Sequence, residues 1–100
     1  MGRIVVREGY AKRKPPALVL EGEFDEIKEE LYKYILSKVL GKPEDYCYVV
    51  RLENCRGLLA QKVLNMLKER GLKFHVSRRK FLVVRVRGIP LKENQLSAGV

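Results

Sequence analysis

The chain contains no tryptophan, a single histidine and two cysteines. Each shortage excludes a class of function. His75 alternates with Phe74 and Val76 in a strand-like stretch, and no serine or aspartate motif accompanies it. A general base needs a partner within hydrogen-bond reach, so His75 reads as structural and no enzyme is expected. Cys47 and Cys55 are too few for a disulfide scaffold, and with one histidine elsewhere they fall short of the four ligands of a structural zinc site. A strand rising about 3.3 Å per residue separates them, which leaves free thiols or a bridge between chains. Cys55, beside Arg56 and just ahead of a helix, is expected to have a lowered pKa. Long apolar runs are also missing. No stretch approaches the roughly 18 to 20 apolar residues of a membrane span. The opening MGRIVVREGY is too charged for a signal peptide, so a cytoplasmic protein without membrane contact is expected.

What the chain has in quantity is positive charge. Its 21 Lys and Arg against 12 Asp and Glu leave a net charge of +9. The surplus is uneven: residues 1–20 carry +4, residues 21–45 carry −4 and residues 46–100 carry +9. A sign-separated molecule of this kind sets up a field that attracts polyanions. One hundred residues suit one domain. A chain this short buries only roughly 60 to 70 per cent of its unfolded surface, which favours a binding surface over a deep pocket. Few Asn and Gln beside abundant Lys, Arg and Glu resembles the composition of proteins from hot environments.

Hydrophobic periodicity divides the chain into seven elements. Arg3 to Glu8 is β-branched and strand-like, and the loop GYAKRKPP leads to a second strand at Ala17 to Glu23, where Pro15 and Pro16 suit a strand entry. Ile27, Leu31, Ile35 and Val39 recur every four residues, which predicts an amphipathic helix from Phe24 that stops at Gly41. The acids Glu21, Glu23, Asp25, Glu26, Glu29 and Glu30 have no histidine among them; they read as a solvated helix start that complements the dipole, not as a metal site. Tyr46 to Leu52 is the third strand. Asn54 is positioned to cap a second helix with its apolar stripe at Leu59, Val63, Met66 and Leu67, ended by Gly71. Lys73 to Ser77 and Lys80 to Arg87 form a hairpin with a basic tip. The expected fold is α+β: an open, mostly antiparallel sheet with two helices packed on one face, in the order β-β-α-β-α-β-β. It fills residues 1–87, and residues 88–100 form a fraying tail.

The last strand carries the functional clue. Alternation puts Leu82, Val84 and Val86 on the helix side and Phe81, Val83, Arg85 and Arg87 on the other. The same parity places Arg3, Arg7 and Arg51 with the second set. An arginine-lined sheet face with an aromatic suits phosphates and unstacked bases, because the planar guanidinium binds phosphate bidentately and stacks on rings. Lys12, Arg13 and Lys14 in the first loop, and Arg78, Arg79 and Lys80 at the hairpin tip, extend the patch. A blander reading is that these cations keep an exposed sheet soluble and its edge unpaired. The loop Glu53 to Gly57, with Arg56 and helix-start amides, suits an anion, although one glycine is far from a phosphate-loop signature.

The run YVVRLENCRGLLAQKVLNML followed by a basic hairpin resembles the layout of Alba-type archaeal nucleic-acid-binding proteins over residues 17–87, without the lysine-containing motif of that family. KYILSKVLG and VVRVRGIPLK are similar to pieces of the small ferredoxin-like protein subunit of archaeal ribonuclease P, although the strands expected between them do not match. The layouts imply a ferredoxin-like or Alba-like sandwich; layout does not settle function. The expected function is non-catalytic binding of nucleic acid, RNA or single strands favoured, without cofactor or metal. The alternative is a structural or assembly protein that acts as a homodimer.

Overall fold

A computed structural model describes residues 2–9, 17–78 and 81–91. The elements are β1 (Gly2–Glu8), β2 (Leu18–Gly22), α1 (Phe24–Val39), β3 (Cys47–Glu53), α2 (Gly57–Glu69), β4 (Phe74–Arg78) and β5 (Leu82–Arg87). They form the predicted order, and each boundary follows from local chemistry. In α1 the four-residue period buries Ile27, Leu31, Ile35 and Val39, with Asp25 and Glu26 in the first turn and Lys38 in the last. α2 buries Ala60, Val63, Met66 and Leu67. It ends at Gly71, whose φ of 84° is open to glycine at little cost. There Gly71 N–H donates to the Lys68 carbonyl at 3.0 Å and Leu72 N–H to the Leu67 carbonyl at 3.1 Å, the paired closure of a Schellman motif.

The strands form one five-stranded sheet in the order β2-β1-β3-β5-β4. Every neighbouring pair is antiparallel. β3 is the axis, with the β1–β2 hairpin on one side and the β4–β5 hairpin on the other. Each helix joins strands that are not neighbours: α1 carries the chain from β2 past β1 to β3, and α2 from β3 past β5 to β4. β2, β3 and β4 therefore share one direction although no two of the five strands pair in parallel.

One face of the sheet is buried. Ile4, Val6, Leu20, Tyr48, Val50, Leu52, Leu82, Val84 and Val86 meet the helix stripes in a single apolar cluster. At roughly 25 cal/mol per Å² of apolar area, this burial is the main stabilising term. The helices are also tied to each other, because Arg70 at the end of α2 clamps the Glu29 carboxylate on α1, with Nη1 at 3.2 Å from Oε1 and Nη2 bonded to Oε2.

Backbone pairing continues past Arg87. Gly88 is buried, and its N–H donates to the Tyr46 carbonyl at 2.9 Å. Ile89 N–H donates to the Val39 carbonyl at 2.9 Å, and Gly41 N–H to the Ile89 carbonyl at 2.7 Å. The chain after β5 thus supplies a donor to the orphan carbonyl at the end of α1. No side-chain periodicity announces such a clamp, because its hydrogen bonds join backbone groups.

Candidate functional site

The register of the sheet fixes the composition of its open face. Arg7 lies opposite Arg51, which lies opposite Val83, which lies opposite Ser77. In the next row Val49, Arg85 and His75 align, and Arg87 pairs with Cys47. Arg51, Arg85 and Arg87 therefore share the open face, as the alternation implied.

The face is not uniformly basic. On its β1–β3 half, acids neutralise the arginines: Glu53 Oε2 lies 2.7 Å from Arg7 Nε and 3.1 Å from Arg51 Nε. Arg3 Nε lies 3.4 Å from Glu21 Oε1. Arg51 is only 6% exposed, and its guanidinium carbon sits 4.8 Å from the centre of the Phe81 ring. A buried guanidinium requires this pairing. Arg51 is thus buried beneath Phe81 and paired with Glu53, where the alternation alone had suggested a solvent-facing guanidinium. Phe81 remains 38% exposed, a ring backed by a cation and partly open to solvent.

The β5–β4 half is different. Arg87 and His75 are exposed, and half-buried Arg85 donates from Nη1 to Ser77 Oγ at 3.2 Å. Arg78 ends β4 and, with Arg56, Gly57 and Phe81, lines a cavity of about 590 Å³ at the start of α2. No side chain caps that helix and its first turn holds no acid, so its amide dipoles add to the positive potential there. Lys12, Arg13, Lys14, Arg79 and Lys80 lie outside the described residues.

Two local expectations are corrected at this end of the molecule. Asn54 does not cap α2; the N-cap position is Arg56. Asn54 instead takes a left-handed turn conformation with φ 62°, and its Nδ2 donates to the Arg3 carbonyl at 2.7 Å, pinning the loop to β1. Asparagine tolerates that conformation better than most residues, which is why it serves the turn. The Cys55 thiol is not activated either. It is 3% exposed, and burial pushes its pKa up to about 11 against the weaker opposing charge of Arg78. Cys47 is exposed, and both cysteines are free.

Sequence reading missed a second basic cavity of about 420 Å³ at the opposite end of β4, where Lys68, Lys73, His75 and Arg87 gather beside Phe74. These residues belong to a helix end, a loop and two strands, so only the folded sheet unites them. Among the described residues no group of three or more His, Cys, Asp or Glu is placed to hold a metal ion, and no helix is long and apolar enough to cross a membrane.

These features define a two-layer α+β sandwich whose open sheet face is neutralised on one half and basic on the other. No family model, curated protein or solved structure matches the chain.

Proposed function

We propose that this chain is a non-catalytic nucleic-acid-binding module for RNA or other single strands, working in a reducing compartment such as the cytoplasm. The observation that carries the reading is the basic β5–β4 side of the sheet: Arg56 and Arg78 line one cavity with the partly exposed Phe81, Arg87 lies at the far end of β5 with half-buried Arg85 before it, and the acids of the open face are spent on β1 and β3. Guanidinium groups answer phosphates, and a ring fixed on Arg51 offers a surface on which an unpaired base can stack. The bases of a duplex are already stacked on one another, so single strands fit better. Fluorescence anisotropy with labelled single-stranded RNA, single-stranded DNA and duplexes tests it. Binding is expected for the single strands at low salt, with loss at high salt; no binding at about 50 mM salt sinks the reading.

A homodimer is the competing reading, supported by the two edge strands β2 and β4, each paired on one side only in the sheet. It predicts concentration-dependent association by light scattering that nucleic acid leaves unchanged.

A further inference from the structure

The two basic cavities have matched contents. The one at the start of α2 combines Arg56 and Arg78 with the Phe81 ring. The one at the far end of β4 combines Lys68, Lys73 and Arg87 with the Phe74 ring. No acidic side chain lines either cavity among the described residues. Lys73 does lie 3.7 Å from Glu44 Oε1, but both partners are largely exposed, and such a surface pair competes weakly with a phosphate.

Their placement is the informative part. Arg78 and Phe74 are the two ends of β4, so the cavities sit at the two ends of one edge strand, about 13 Å apart at strand rise. Each sets cations for a phosphate beside an aromatic ring, Phe81 exposed and Phe74 half-buried against the core. A mononucleotide can occupy one of them, while a strand of a few nucleotides reaches both.

We infer that the two cavities are linked subsites of one single-stranded ligand, which runs along the β4 edge with a phosphate held at each end. This rests on the proposed nucleic-acid reading and adds to it a path and a minimum length. Once one subsite is filled, the second is filled intramolecularly, so affinity rises in a step when the strand becomes long enough to bridge.

The test uses the full chain and oligouridylates of increasing length, from the mononucleotide upward, followed by anisotropy or calorimetry. The unaltered protein is expected to show weak binding of the mononucleotide and a step in affinity within the first few added nucleotides. Arg56→Glu with Arg78→Glu, and separately Lys68→Glu with Lys73→Glu, should each abolish the step and weaken the longer strands on the order of tenfold or more. Lys33→Glu with Lys42→Glu changes the net charge equally on exposed positions that line neither cavity and serves as the control. Circular dichroism establishes that each variant is folded; should a reversed pair fail to fold, the corresponding glutamine pair takes its place. A smooth rise of affinity with length, or losses in the cavity variants no greater than in the control, overturns the linked subsites and leaves the binding reading standing. Absence of binding by the unaltered chain overturns both.

Discussion

Among the described glycines, Gly88 has the least room to change. A Cβ built there would lie 2.1 Å from the Pro43 carbonyl oxygen and 3.0 Å from the Lys42 carbonyl oxygen, both of them backbone atoms that a rotamer change cannot move. Gly88→Ala is therefore expected to destabilise the fold by about 1 to 3 kcal/mol, the usual cost of overpacking, seen as a lower midpoint in denaturant. An unchanged midpoint would show that the segment after β5 is not clamped. Cys55 makes a different residue-scale argument. Its folded pKa of about 11 lies above that of an unfolded thiol, near about 8.5, so between those values the folded state holds a proton that the unfolded state has lost. Stability from this group is full below the unfolded pKa and declines as pH rises through the folded one. The decline amounts to no more than about 2 kcal/mol after allowance for solvent screening. Cys55→Ala should flatten the alkaline limb of a stability–pH curve. A thiol reagent should label Cys47 in the native protein and Cys55 only on unfolding.

At the scale of elements, a charged contact links the two helices beside their shared apolar core. Arg70 clamps Glu29 and lies 4.6 Å from the centre of the Tyr32 ring, so a single guanidinium bridges α2 to two residues of α1. Its hydrogen bond holds the Glu29 carboxyl below the usual carboxylate range. A lowered folded pKa gives stability that is present above the unfolded pKa and lost as pH falls through the folded value. Arg70→Gln should therefore move acid unfolding, followed by circular dichroism, to higher pH; an unmoved midpoint would mean the pair is solvent-screened. This clamp was not legible in the sequence, where Glu29 read as one of a run of solvated acids. The elements themselves were legible, because Ile27, Leu31, Ile35 and Val39 or Leu82, Val84 and Val86 repeat at the period of a single element. The strand order was not, since each helix skips over a strand and nothing local records which one. For the same reason the sequence showed that Arg51 faces away from the helices but not that Glu53, Arg7 and Phe81 cover it. The cavity made by Lys68, Lys73, His75 and Arg87 depends on the β4–β5 pairing and had no local sign at all.

Over the whole molecule, charge is sorted by layer and by side. α1 and its flanks hold most of the acids in the helical layer, and the acids of the open face pair with arginines of β1 and β3. The cations of β4, β5 and the ends of α2 then stand on the opposite side, so an approaching polyanion is steered toward one edge. On the proposed reading, affinity comes largely from counterions released as Arg56, Lys68, Lys73, Arg78, Arg85 and Arg87 meet phosphates. Each contact with a single strand contributes about −0.7 to the slope of log affinity against log salt, so the six together give about −4. Raising salt from about 50 to about 200 mM should then weaken binding by several hundredfold. Replacing any one of the exposed cations Arg56, Lys68, Lys73, Arg78 and Arg87 with glutamine should reduce the slope by roughly one contact while leaving sequence preference unchanged. Arg51→Gln should behave differently. Because Arg51 is held by Glu53 beneath Phe81, its loss should leave the slope nearly intact and lower affinity at every salt concentration, by loosening the stacking ring. A slope that falls by a full contact in Arg51→Gln would show instead that this buried arginine reaches the ligand itself.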